Sequence, residues 1–202
     1  MPVSDLRSAT FALTLAIVIS WAQVATAQDC PTGQSVGAGF VVERGERSKT
    51  EVFHVDDTTV RTVFRYSGDS LLETTQFQGL FELERIDRGR RSVFRPTSDL
   101  SKVFPPNVGQ KFSAKFDVSE GERQSTRTII LSVRKLDSLH IGPCQYRVAL
   151  IDRTVGYDNA KPVFIETGHY SPVLKLVVAK EFKERDGRTT LTKFDRIYPL
   201  KR

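Results

Sequence analysis

Tryptophan and methionine occur once each in these 202 residues, cysteine twice and histidine three times. The one Trp, Trp21, and the one Met, the initiator, both fall in the first 27 residues, so the rest of the chain builds its core without either. Two cysteines are too few for a zinc ribbon or a disulfide-dense scaffold. His54, His140 and His169 stand far apart and share no ligand spacing with an acid or cysteine set, so neither a metal site nor a cofactor is expected. After residue 27 no apolar run approaches the roughly 20 residues that a membrane-spanning helix needs, and no convincing amphipathic helix is written anywhere.

What is present begins with an export pattern. Residues 1–27 combine a short n-region holding Arg7, the apolar stretch FALTLAIVIS from Phe11, and Ala25-Thr26-Ala27 as a small-x-small cleavage site. Residues 1–27 are read as a secretory signal peptide, with an uncleaved anchor as the alternative because the apolar run continues past Trp21 to Ala27, and residues 28–202 as a single β domain, a length that suits one respectable core. Removing the signal takes away one base and one acid, Arg7 and Asp5, so the net charge stays at the +6 of the whole chain. That excess is spread along the sequence, and runs such as Arg88-Gly-Arg-Arg91 are short. A soluble basic surface is therefore expected, and no nucleic-acid partner. In an oxidising compartment Cys30 and Cys144 predict one disulfide. It would close a loop of about 110 residues and add at most about 4–5 kcal/mol by chain entropy.

The dominant period after residue 37 is two. In Lys111–Val118, Phe112, Ala114, Phe116 and Val118 alternate with Lys111, Ser113, Lys115 and Asp117, the pattern of a half-buried antiparallel strand. Val60, Thr62, Phe64 and Tyr66 likewise oppose Arg61 and Arg65, with Val63 the exception. Further strands are read at 39–44, 50–55, 72–77, 80–86, 126–135, 145–152, 162–167, 173–182 and 189–196, punctuated by polar turns. Residues 96–110, with Pro105-Pro106, read as a long loop or lip with one helical turn over 98–103. The fold class expected is all-β: one curled antiparallel sheet of about ten strands, a half-barrel or incomplete barrel. Most of the Phe and Tyr fall at inward strand positions, as core first and ligand contact second.

One stretch raises a catalytic alternative. Gly68-Asp69-Ser70-Leu71 follows a strand, and Asp137 and His140 lie at the Asp-x-x-His spacing that serine esterases and lipases use for the rest of their triad. A nucleophilic serine, however, needs a strand-to-helix elbow beside an oxyanion hole. The segment after Ser70, with Thr74, Thr75 and Phe77, favours strand, and no α/β crossover surrounds it. The bland reading is a hairpin with Gly68 and Asp69 at its tip and Ser70 out of reach of His140. No catalytic residue is expected on this reading; Ser70, His140 and Asp137 form the competing one.

Tyr170-Ser171-Pro172, followed by Leu174, Val177 and Val178, resembles the signature of a family of uncharacterised exported bacterial β-proteins. These look like distant relatives of the LolA-type half-barrels that hold lipoprotein acyl chains. The likeness covers about the last 60 residues; Lys175 stands where a Gly is usual, and Lys180 falls one place late. The resemblance implies a periplasmic protein whose strands curve around a concave apolar face, without catalysis. On physical grounds Pro172 opens a strand or sits at an edge, which puts Tyr170 at the sheet rim. The leading expectation is thus a non-enzymatic envelope protein binding a hydrophobic or amphipathic ligand or an envelope partner: lipid, lipoprotein or another envelope protein. A serine esterase or lipase is the second, and a structural or assembly factor of the envelope the third.

Overall fold

A computed structural model describes residues 30–33, 36–46, 48–66, 70–158, 160–184 and 187–200. The signal reading and the proposed hairpin tip at Gly68-Asp69 lie outside the described residues.

Alternating and β-branched segments become strands almost throughout. They are β1 Phe40–Arg44, β2 Ser48–His54, β3 Thr59–Arg65, β4 Leu71–Phe77, β5 Phe81–Asp87, β6 Arg90–Pro96 and β7 Lys111–Glu120. The remainder are β8 Arg123–Ile141, β9 Cys144–Tyr157, β10 Val163–Ser171, β11 Leu176–Lys183, β12 Thr189–Lys193 and β13 Arg196–Pro199. All pair antiparallel, and β1 to β12 run as an uninterrupted meander; β13 then pairs with β1. Among the described residues the result is the expected all-β curled sheet, not closed into a barrel, with 13 strands in place of about ten.

The two ends of the sheet nevertheless come together, because β12 and β13 are separated only by Phe194 and Asp195. The Phe194 N–H donates to the Val178 carbonyl on β11 at 3.3 Å, and the Asp195 N–H to the Glu43 carbonyl on β1 at 2.7 Å. One C-terminal segment thus touches both edges. Irregularities in the pairing at Thr75/Gln76, Val133/Lys135, Phe164/Glu166 and His169/Tyr170 supply the local bending that such a curl requires.

Apolar side chains fill two clusters on opposite faces of β9. Val148 and Leu150 join Phe40, Val52, Val178 and Ile197 in one. Ala149 and Ile151, on the other face as the period of two demands, join Phe81, Phe116, Ile129 and Tyr170 in the other. This double burial explains why the sequence of β9 reads apolar on both sides. The 96–110 segment plugs the second cluster: its 3-10 turn Leu100–Val103, capped by Asp99, buries Leu100 and Val103. Phe104, which precedes the cis Pro105, packs edge-on against Phe77 and Tyr170. Cys30 and Cys144 are joined, stapling the start of the described chain to β9, where the Tyr146 hydroxyl donates to the Pro31 carbonyl.

Several expectations need correcting. Strand β6 is missing from the expected strands, because Arg90, Arg91 and Arg95 leave only Val93-Phe94 as an apolar signal; pairing with β5 and β7 overrides that poverty. The 189–196 run is divided between β12 and β13. Tyr170 lies 1% exposed in the core, not at the rim, and Pro172 follows the end of β10 instead of opening a strand. Residues 172–175 form the turn into β11.

Candidate functional site

The proposed triad is not assembled among the described residues. Ser70 sits just before β4, where its carbonyl accepts from the Tyr66 N–H at 3.0 Å; Arg65 pairs with Leu71, so the two strands form the expected hairpin. Asp137 and His140 both lie on β8 in unbroken register with β9. Three residues apart on a strand, they face opposite sides of the sheet. The Asp137 carboxylate accepts from the Lys135 ammonium at 2.7 Å and from the Ser138 N–H. The Lys135 hydrogen bond holds its carboxyl below the usual carboxylate range. Among the described residues no hydrogen bond or ion pair joins Ser70, Asp137 and His140.

The other histidines are equally separate. His54 Nε2 lies 3.1 Å from the Leu174 carbonyl, and His169 Nε2 lies 2.7 Å from Glu181 Oε1. Among the described residues no group of three His, Cys, Asp or Glu side chains is placed to hold a metal. The four motif residues also part company. Tyr170 belongs to the core, and Pro172 lies on the outer surface beside Pro105, Pro106 and Leu136. Val177 and Val178 border a groove enclosed by the curl.

That groove is the candidate site. Its deep part is a cavity of about 290 Å³, near the lower end of the range for small-molecule sites. Phe64, Leu131, Ile151, Leu176 and Val177 form much of its wall, and Thr62, Thr74 and Gln76 line another side. The two threonine hydroxyls are hydrogen-bonded to each other at 2.6 Å. Thr50, Phe64, Val177, Lys180 and Phe194 also border a further cavity of about 210 Å³, where Arg44, Thr192 and Lys193 stand. The two are therefore parts of one groove, running from the inside of the curl toward the seam where β1 and β2 approach β11 and β12.

Charge is concentrated at one point of the wall. Glu166 on β10 is only 5% exposed, and it is held by Lys180 Nζ at 2.9 Å and by Arg153 Nη1 at 3.5 Å. The buried Arg153 Nε has no hydrogen-bond partner among the described residues. Glu82, on the side of the groove toward β5, is engaged by Arg127 at 3.2 Å. The Arg127 guanidinium lies between the Phe94 and Tyr157 rings, 4.7 and 5.1 Å from their centroids. Beyond it opens a second, polar hollow of about 350 Å³ lined by Arg85, Arg90 and Arg123 with Asp87 and Glu120.

Of Arg127, Arg153, Glu166 and Lys180, only Lys180 is marked in the sequence, as the displaced basic residue of the Tyr-Ser-Pro signature and not as a groove residue. Glu166 carried a usable signal, a lone acid directly after the apolar run Val163-Phe164-Ile165, since a buried carboxylate demands cationic partners. Those partners, Arg153 and Lys180, come from neighbouring strands and only the pairing reveals them.

No family model matches the sequence, and no curated protein matches it. Among solved structures the chain aligns with the crystal structure of the hypothetical lipoprotein YmcC from Escherichia coli (K12). The two are 14% identical, the alignment covers 83% of this chain and 88% of that one, and the TM-score is 0.48. A likeness of that size carries no argument about function.

Proposed function

We propose that this chain is an exported, non-enzymatic binding protein of the cell envelope that holds a hydrophobic or amphipathic ligand in the groove of its curled sheet. The observation that carries the reading is the groove itself: an interior lined by Phe64, Leu131, Ile151 and Val177 that the core side chains leave open. An apolar concavity with a few fixed polar groups is the usual form of a small-molecule site. The Cys30–Cys144 disulfide fits an oxidising compartment, as does the signal pattern of residues 1–27.

The ligand class expected is a lipid or the acyl part of a lipoprotein. Native mass spectrometry of protein purified from a bacterial periplasm tests this. The wild type should carry a copurified lipid. A Thr50→Trp variant, whose indole would project where the two parts of the groove meet, should lose it while keeping its circular-dichroism melting curve. Lipid retained by the variant as well as by the wild type, or absent from both, would count against the reading.

A further inference from the structure

Cations and acids are not balanced along the groove. Glu82 is taken by Arg127. Glu166 is a single carboxylate facing two cations, Lys180 and Arg153, and among the described residues the Arg153 Nε–H remains unpaired and buried. Toward the seam the lining includes Arg44, Lys180 and Lys193 and, among the described residues, no acid. Among the described residues neither Arg44 nor Lys193 joins an ion pair or a side-chain hydrogen bond. The surplus of positive charge therefore lies directly against Phe64, Val177 and Phe194, which border the same space.

Charge next to apolar walls interacts more strongly than charge in open water, and a ligand that covers it without compensating it leaves cations desolvated and unpaired. A neutral amphiphile entering the groove would do that. An amphiphile carrying an acid group would place an anion among Lys180, Arg153, Arg44 and Lys193 and its chain against the apolar wall. Resting on the proposed binding role, we infer that the ligand is an amphiphile with a negatively charged headgroup, and that Lys180 is the residue that selects it. Lys180 is suited to this because it lines both parts of the groove and its side chain is 42% exposed. It can turn from Glu166 toward a ligand while Arg153 keeps hold of that carboxylate.

Calorimetric titration of the purified protein with dodecanoate, with monolaurin and with acetate tests the inference. Monolaurin offers the same chain on an uncharged head, and acetate the same anion without the chain. Dodecanoate should bind more tightly than monolaurin by about tenfold or more, the effect of roughly one desolvated charge contact. Acetate should bind far more weakly than dodecanoate. Lys180→Gln should remove most of the preference for dodecanoate and leave monolaurin unchanged. The double variant Arg44→Gln, Lys193→Gln changes only exposed side chains and guards against misfolding; it should weaken dodecanoate alone and flatten its salt dependence. Equal affinities for dodecanoate and monolaurin, with variants that shift both alike, would overturn the anionic headgroup but leave the groove as a lipid site. Acetate binding as tightly as dodecanoate would overturn the amphiphile. No binding of either dodecanoate or monolaurin would instead remove the proposed function on which the inference rests.

Discussion

A Cβ placed on Gly79 would lie 1.7 Å from the carbonyl oxygen of Lys175. The β4–β5 turn, in which Gln78 and Gly79 both have positive φ, is pressed against the β10–β11 turn across nearly a hundred residues of sequence. Lys175 Nζ also donates to the Asp57 carbonyl, so three turns meet at this end of the sheet. Gly79 and Leu80 line the groove there. A Gly79→Ala variant meets both the backbone oxygen and a left-handed φ of +69°. It should lose about 3 kcal/mol or more of stability, read as a lowered midpoint in urea unfolding; a midpoint within error of the wild type would contradict the contact.

The Cys30–Cys144 bond ties the first described residue to β9 across a separation of 114. Reduction, or a Cys30→Ala, Cys144→Ala double variant, should cost about 2–4 kcal/mol by releasing loop-closure entropy to the unfolded chain. A denaturant midpoint unchanged by reductant would show that the bond adds nothing.

Acid should weaken the fold through His54. Burial lowers its pKa; the hydrogen bond to the Leu174 carbonyl opposes that, and the nearby Lys175 charge adds to it. The folded value lies below that of the unfolded chain, so the unfolded state binds the proton more readily. The stabilisation is complete above the unfolded pKa and is lost as pH falls through the folded one. In a His54→Gln variant the side-chain amide can donate to the same carbonyl without titrating. Its melting temperature should fall less than that of the wild type between about pH 7 and about pH 5. Parallel profiles would contradict the assignment.

Ser70 should not behave as a nucleophile. A fluorophosphonate probe is expected to leave the wild type unlabelled, because a serine hydroxyl without a base has no activated form at neutral pH. Labelling that disappears in Ser70→Ala would overturn the non-enzymatic proposal.

Much of the architecture could be read in the chain because a one-sided strand announces itself by period. Lys111–Val118 did so, and the structure buries Ala114 and Phe116 while exposing Lys111, Ser113, Lys115 and Asp117. Where both faces are covered, as in β9, or where arginines outnumber apolar residues, as in β6, the period disappears, and extent and even existence depend on neighbouring strands. The Tyr170 position shows the same limit: the residues around it looked like a strand entry, yet it closes a core whose other members lie as far away as Phe81 and Phe116. The groove was expected as a concave apolar face. Its charged contacts were not, because Arg153, Glu166 and Lys180 are brought together by register rather than by spacing. The Gly-Asp-Ser-Leu letters had the opposite history, being plain in sequence and without a triad in space.

A ligand held in the groove must perturb the side chains that line it. Isotope-labelled protein titrated with dodecanoate and followed by methyl and amide resonances measures this directly. The largest shifts should fall on Leu72, Leu131, Ile151 and Val177 inside the groove, while Leu136 and Val173 on the outer surface stay still. Shifts confined to Leu136, Val173 and their neighbours, or none at all, would contradict it.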